Sequence, residues 1–289
     1  MNAPRNRARW VRGVVAFGVM LAVAGCSDEV PPTRDRAVAP APPAPAKRPP
    51  QPSLRVPGDP LVRIGWGHTG AGQPGQIGTA DVEVSTSSLE GGRVVPGPRH
   101  DGARSLVFPD FHRTGGYPRA VVVVHNGSAK DQLNPDARDF AFGADVSLDG
   151  SSFGRSEDNG NNILQRGLSS DPVMFKVDLD ASLRPGCMVK GRGGLLVVHS
   201  SRQVTPGRWY RIRCERRGNR LFVTMGQFLP SGATWATARE AKGRIGAMHF
   251  PGPEVPVSVG GKVAHDGTVI RSETDQFNGR IANPYFDVR

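Results

Sequence analysis

The strongest constraint on this chain is a period of two in its apolar residues, repeated in short runs and unaccompanied by a convincing helical period. Phe140, Phe142, Ala144, Val146 and Leu148 alternate with Asp139, Gly143, Asp145, Ser147 and Asp149. That spacing predicts a strand with one face in a core and the other in water. Val173, Phe175, Val177 and Leu179 repeat the pattern against Lys176, Asp178 and Asp180. Tyr210, Ile212 and Cys214 alternate with Arg211, Arg213 and Glu215 before Gly218-Asn219 turns the chain into Leu221, Val223 and Met225, the clearest hairpin signal here. Further strands are expected over 105–108, 120–125, 255–259 and 285–288. The 37 glycines and 26 prolines supply the turns. A string of short strands from about residue 100 onward is the pattern of an all-β, two-sheet antiparallel sandwich. Residues 64–78, rich in Gly, read as a long loop or short edge elements.

The N-terminus has a different character. Arg5, Arg7, Arg9 and Arg12 precede an apolar stretch, residues 14–24, that is too short for the roughly 20 residues of a membrane span. Val23-Ala24-Gly25-Cys26 follows and resembles a bacterial lipobox, in which the Cys thiol accepts a diacylglyceryl group. Cys26 is therefore the expected lipidated residue, residues 1–26 the signal segment, and the membrane a partner through two acyl chains. An exported protein anchored on the outer face of the cell membrane is the localisation this implies. Residues 27–60 are Pro- and Ala-rich without apolar periodicity and read as a tether. Residues 61–99 form a Gly-rich N-terminal extension of the fold, and residues 100–289 the sandwich itself.

The formal charge of +11 includes +4 from the arginines of the signal segment, and only 6 of 37 basic residues are Lys. That bias can reflect base composition as easily as phosphate binding, so no nucleic-acid partner is expected.

Asp139-Phe140-Ala141-Phe142, Trp209-Tyr210 leading into a hairpin with Arg-Gly-Asn at its tip, Val257-Ser258-Val259-Gly260-Gly261 and Asp275-Gln276-Phe277-Asn278-Gly279-Arg280-Ile281 follow one another in the order of a laminin G-like domain. The resemblance covers 100–289 and places the chain in the concanavalin A-like jelly-roll class. It implies two curved antiparallel sheets with the first and last strands paired. In such a domain Cys187 and Cys214, the two Cys left after Cys26, are expected to pair in the oxidising compartment an exported protein meets. Their sequence neighbours suggest adjacent strands.

Residues for chemistry are sparse. The Glu-x-Asp-x-x-Glu strand of concanavalin-like glycosidases is absent, and Asp81-Val82-Glu83 reads as a solvated strand face. Arg213-Cys214-Glu215-Arg216-Arg217 superficially matches an alginate-lyase strand without the accompanying His or Tyr motifs. No catalytic residue is assigned. In the oxygen-rich loop 157–162, Asp158, Asn159 and Asn161 either cradle a Ca²⁺ or form a plain turn. Arg211, Arg213, Arg216, Arg217 and Arg220 crowd one hairpin. They could form an outward patch for a polyanion or a solvated face. Trp235 offers an exposed platform for a sugar ring. The leading expectation is a non-catalytic envelope protein that binds a glycan or protein. An atypical carbohydrate-active enzyme and a structural envelope component are the alternatives.

Overall fold

A computed structural model describes residues 60–66, 74–150, 155–229 and 232–289, and the backbone alone for 232–237. The signal segment, Cys26 and nearly all of the tether lie outside the described residues. Sixteen strands and no helix occur among those described: β1 (Val62–Trp66), β2 (Pro74–Gln76), β3 (Val82–Leu89), β4 (Val95–Pro98), β5 (Arg104–Val107), β6 (Arg119–Asn126), β7 (Phe140–Leu148), β8 (Asn161–Arg166), β9 (Met174–Leu179), β10 (Pro185–Gly191), β11 (Gly194–His199), β12 (Tyr210–Arg217), β13 (Arg220–Leu229), β14 (Gly232–Lys242), β15 (Val257–Val259) and β16 (Gly279–Val288).

They form two antiparallel sheets, the expected jelly-roll sandwich. One has nine strands in the order β14-β13-β12-β7-β16-β1-β2, with β5 also pairing β16 and β4 pairing β5; the other has seven, in the order β11-β10-β9-β8-β15-β6-β3. The first strand pairs with the last, Val62 opposite Phe286 and Arg63 opposite Tyr285. The inner faces meet in one core. Phe175 of the seven-stranded sheet stacks on Phe286 of the nine-stranded sheet with centroids 5.0 Å apart, and Phe142 closes on Phe175 at the same separation. Offset and tilted aromatic pairs of this kind stabilise beyond the area they bury.

Of the two readings of residues 64–78, the short edge elements hold for the described part: Val62, Ile64 and Trp66 are buried in alternation, and β1 pairs with β2, which ends the sheet. Two expectations change. The sandwich does not begin at residue 100, because β1–β4 lie within 61–99 and β3 forms an edge of the seven-stranded sheet along β6. Finally, β7 has no face in water, since all nine of its residues are buried. It runs between β12 and β16, and side chains from both fold over its outer face.

Candidate functional site

The outer face of the nine-stranded sheet carries a polar layer that is itself closed to solvent. Gly143 of β7 lies between Arg213 of β12 and Tyr285 of β16, and Thr224 of β13 continues the row. A Cβ at Gly143 would stand 2.1 Å from the Ile212 carbonyl oxygen, so only glycine allows the strands this close. Arg213 and Tyr285 then cover that floor, each only 1% exposed. Burial pushes the Tyr285 phenol up to about 12, against the opposing pull of Arg213 and Arg211. One row over, Asp145 is 0% exposed. It accepts hydrogen bonds from Arg211 Nε and Nη2 at 2.6 and 2.9 Å and from Asn283 Nδ2 at 3.0 Å. In the third row Glu215 is bonded by Arg217 and Arg289, both at 2.9 Å. Burial alone would raise the Glu215 carboxyl, but Arg217 and Arg213 hold it below its ordinary value.

Beside this layer the sheet opens. β16 pairs with β5 at Arg280 and Ile281 and with β1 at Tyr285 and Phe286, while Ala282 to Pro284 pair with neither. The register of β16 against β7 also shifts between Ala282 and Tyr285, and Asn283 takes a φ of 47°. β1 and β5 therefore diverge around a cleft of about 470 Å³. Ile64, Trp66, Leu106 and Ile281 form its depth, and Ile77, Arg99, Arg104 and Asn283 stand around it. The Trp66 indole is committed, donating to the Ser105 carbonyl at 2.9 Å. Arg99 is tied to Asp101 at 2.7 Å. Arg104 is exposed and forms no ion pair with any described residue; Arg63, half-buried, forms none with them either, and its Nε is buried without a hydrogen-bond partner among them. The turn between β4 and β5 reaches across the sheet from there. His100 stacks on Phe228 at 3.9 Å and meets Trp209 edge-on at 5.7 Å. Burial and the neighbouring Arg99 lower the His100 pKa, so its imidazole favours the neutral form.

The arginines of the hairpin are not one outward patch. Arg213 is buried in the polar layer. Arg216 is 3% exposed on the core side of β12 and donates to the carbonyls of Gly218, Asp136 and Gly246. Arg211 is engaged by Asp145, Arg217 by Glu215 and Arg220 by Glu240. Such commitments leave few guanidinium donors for a ligand. Trp235 lies on β14 opposite Gly226; its side chain is outside the described residues. The loop trio is split: Asp158 and Asn161 are fully buried while Asn159 is exposed. Tyr117 donates its hydroxyl to Asp158, and the Asn159 backbone N–H donates to Asp275 at 3.3 Å. No three His, Cys, Asp or Glu gather as metal ligands among the described residues. Cys187 and Cys214 are bonded, with Cα atoms 5.6 Å apart. The bridge joins β10 to β12, strands of opposite sheets rather than adjacent ones.

Sequence reasoning missed Arg63, Arg99, Arg104 and Asn283. The signal for the first was the alternation Val62, Ile64, Trp66, which turns Arg63 and Gly65 outward. No local signal marks the gap at Asn283, which arises from two strands sharing one edge of β16.

No family model and no curated protein matches the chain. Among solved structures it is similar to the binding domain of Paraclostridial Mosquitocidal Protein 1 (TM-score 0.49, 10% identity, 80% of this chain and 49% of that one). It is also similar to the binding domain of botulinum neurotoxin serotype G (TM-score 0.49, 8% identity, 80% and 48%) and to the LG1-3 region of the laminin alpha2 chain (TM-score 0.42, 12% identity, 58% and 31%). The chain spans half or less of the length of these structures, and the likeness is one of fold.

Proposed function

We propose that the sandwich is a non-catalytic binding domain that holds an anionic component of the cell envelope in the cleft between β1 and β5, and that acylated Cys26 anchors it to the membrane. The observation that carries this reading is Arg104, an exposed guanidinium beside a cleft that meets no carboxylate among the described residues, with half-buried Arg63 on β1 also forming no ion pair among them. A guanidinium fork suits carboxylate, sulfate or phosphate groups.

The test uses immobilised alginate as acidic polymer and dextran as neutral control. Alginate is expected to bind, less strongly as salt rises because exposed charges are screened. Changing Arg63 and Arg104 together to Ser should weaken it about tenfold, the scale of a lost charged hydrogen bond. Equal binding of alginate by parent and double variant would remove the cleft from the proposal. Preference for dextran would remove the anion.

A further inference from the structure

The cleft has two chemically different parts. Its mouth carries the charge: Arg104 has no ion-pair partner among the described residues, Arg99 is neutralised by Asp101, and Asn283 has its amide N–H on Asp145. Its depth is apolar, because diverging strands open the sheet onto the hydrophobic core, and Ile64, Leu106 and Ile281, all core residues, become its walls. Ile77 extends the apolar lining outward and is 46% exposed, among the most exposed large hydrophobic residues described. The indole N–H of Trp66 is already spent on the Ser105 carbonyl, and the buried Ser105 hydroxyl, which also lines the cleft, is turned to the Gly97 and Pro98 carbonyls at 3.2 Å.

From this division we infer that the ligand is an amphipathic anion, a single carboxylate or comparable acid group carried on an acyl or aryl body. This rests on the anion-binding reading above and narrows it. A sugar acid would set its hydroxyls against a lining that is mostly apolar, Ile77 and Ala103 at the surface over the core residues Ile64, Leu106 and Ile281, and each hydroxyl buried there without a partner costs affinity. An apolar body gains by leaving water for the same walls, while its acid group meets Arg104 at the rim. A volume of about 470 Å³ suits a small molecule or a single unit of a longer one.

The experiment titrates the full chain carrying Cys26→Ala, so that no anchor competes, with decanoate, glucuronate and 1-decanol by calorimetry. Decanoate should bind at least about tenfold more tightly than either control. Ile77→Ser and Arg104→Ser should each weaken decanoate about tenfold, and Arg104→Lys should restore part of the loss. Glucuronate binding as tightly as decanoate, and lost with Arg104→Ser, overturns the apolar body and leaves the anion reading intact. Binding of neither acid overturns both. Decanoate affinity that survives both substitutions places any acid site elsewhere and overturns the inference. Vesicles of anionic phospholipid form a further arm: binding to them that Arg104→Ser abolishes, with none to dispersed decanoate, would assign the site to headgroups at a membrane surface and likewise overturn it.

Discussion

A carboxylate without solvent must be held by donors, and Asp145 has three, two from Arg211 and one from Asn283. Removing it leaves the Arg211 guanidinium, itself half-buried, without its partner. Asp145→Ala is therefore expected to cost about 3 kcal/mol, the low end for breaking a buried pair, read as a lower denaturant midpoint; a loss under about 0.5 kcal/mol would mean that water replaces the carboxylate. For the same reason, changing Arg211, Arg213 and Arg217 together should destabilise the fold rather than test a surface. Asp158 gives a pH dependence. Burial raises its carboxyl to about 7 from the ordinary 3.8, despite the Tyr117 hydroxyl bonded to it, and Asp275 adds to the rise. The folded chain thus holds a proton there that the unfolded chain releases. The stabilisation is fully present below about pH 4 and is lost as pH rises through 7. Denaturant midpoints measured from pH 4 to 8 should fall across that window by more in the parent than in Asp158→Asn, whose side chain does not titrate; parallel profiles would refute the assignment. Residue types made these groups visible in the sequence, but their burial was not. Alternation assigns Asp145 and Arg213 to water, and only the curl of neighbouring strands over Gly143 closes that face.

Strand β7 and the β12–β13 hairpin were legible because their alternation is long and their turn is a Gly-Asn pair. β1 and β2 were legible only as short edge elements weighed against a long loop, because glycines at 65, 67, 70, 72, 75 and 78 dilute a pattern of only three inward residues. Pairing partners were the hardest part: Cys187 and Cys214 each follow strand alternation, yet nothing local says that β10 and β12 belong to different sheets. Their bond therefore ties the two layers together across the core, closing a loop of sequence separation 27. In the chain-entropy account such a closure stabilises by about 3 kcal/mol, and Cys187→Ala with Cys214→Ala should lower Tm by roughly 6–12 °C for a domain of this size. Both sulfurs sit among core residues, so the alanine pair leaves small apolar gaps that add to the loss. A double variant melting with the parent would show that the sheets are held by their aromatic core alone.

At the scale of the whole molecule, the proposed anchoring and the proposed binding rest on separate parts of the chain, so each should be removable without the other. The cleft depends on β1, β5 and β16, whose strands are fixed by pairing within the sandwich. The proposed anchor depends on Cys26, which lies 36 residues before the first of those strands begins at Val62. Two acyl chains hold a protein on a bilayer far more firmly than one chain or a weak basic patch. The charge that remains after residue 26, +7 of the total +11, should not retain the protein by itself at physiological salt. In an exporting bacterial host, Cys26→Ala is therefore expected to abolish the acyl mass increment and shift the chain out of the washed membrane fraction, while its affinity for the cleft's ligand stays within about twofold of the acylated protein. Arg104→Ser should do the reverse, keeping the acyl mass and the membrane fraction while losing ligand. If Cys26→Ala stays on washed membranes with no acyl group, the domain is held there by a surface contact. Repeating the wash with Arg104→Ser in the same chain then shows whether the cleft is that contact.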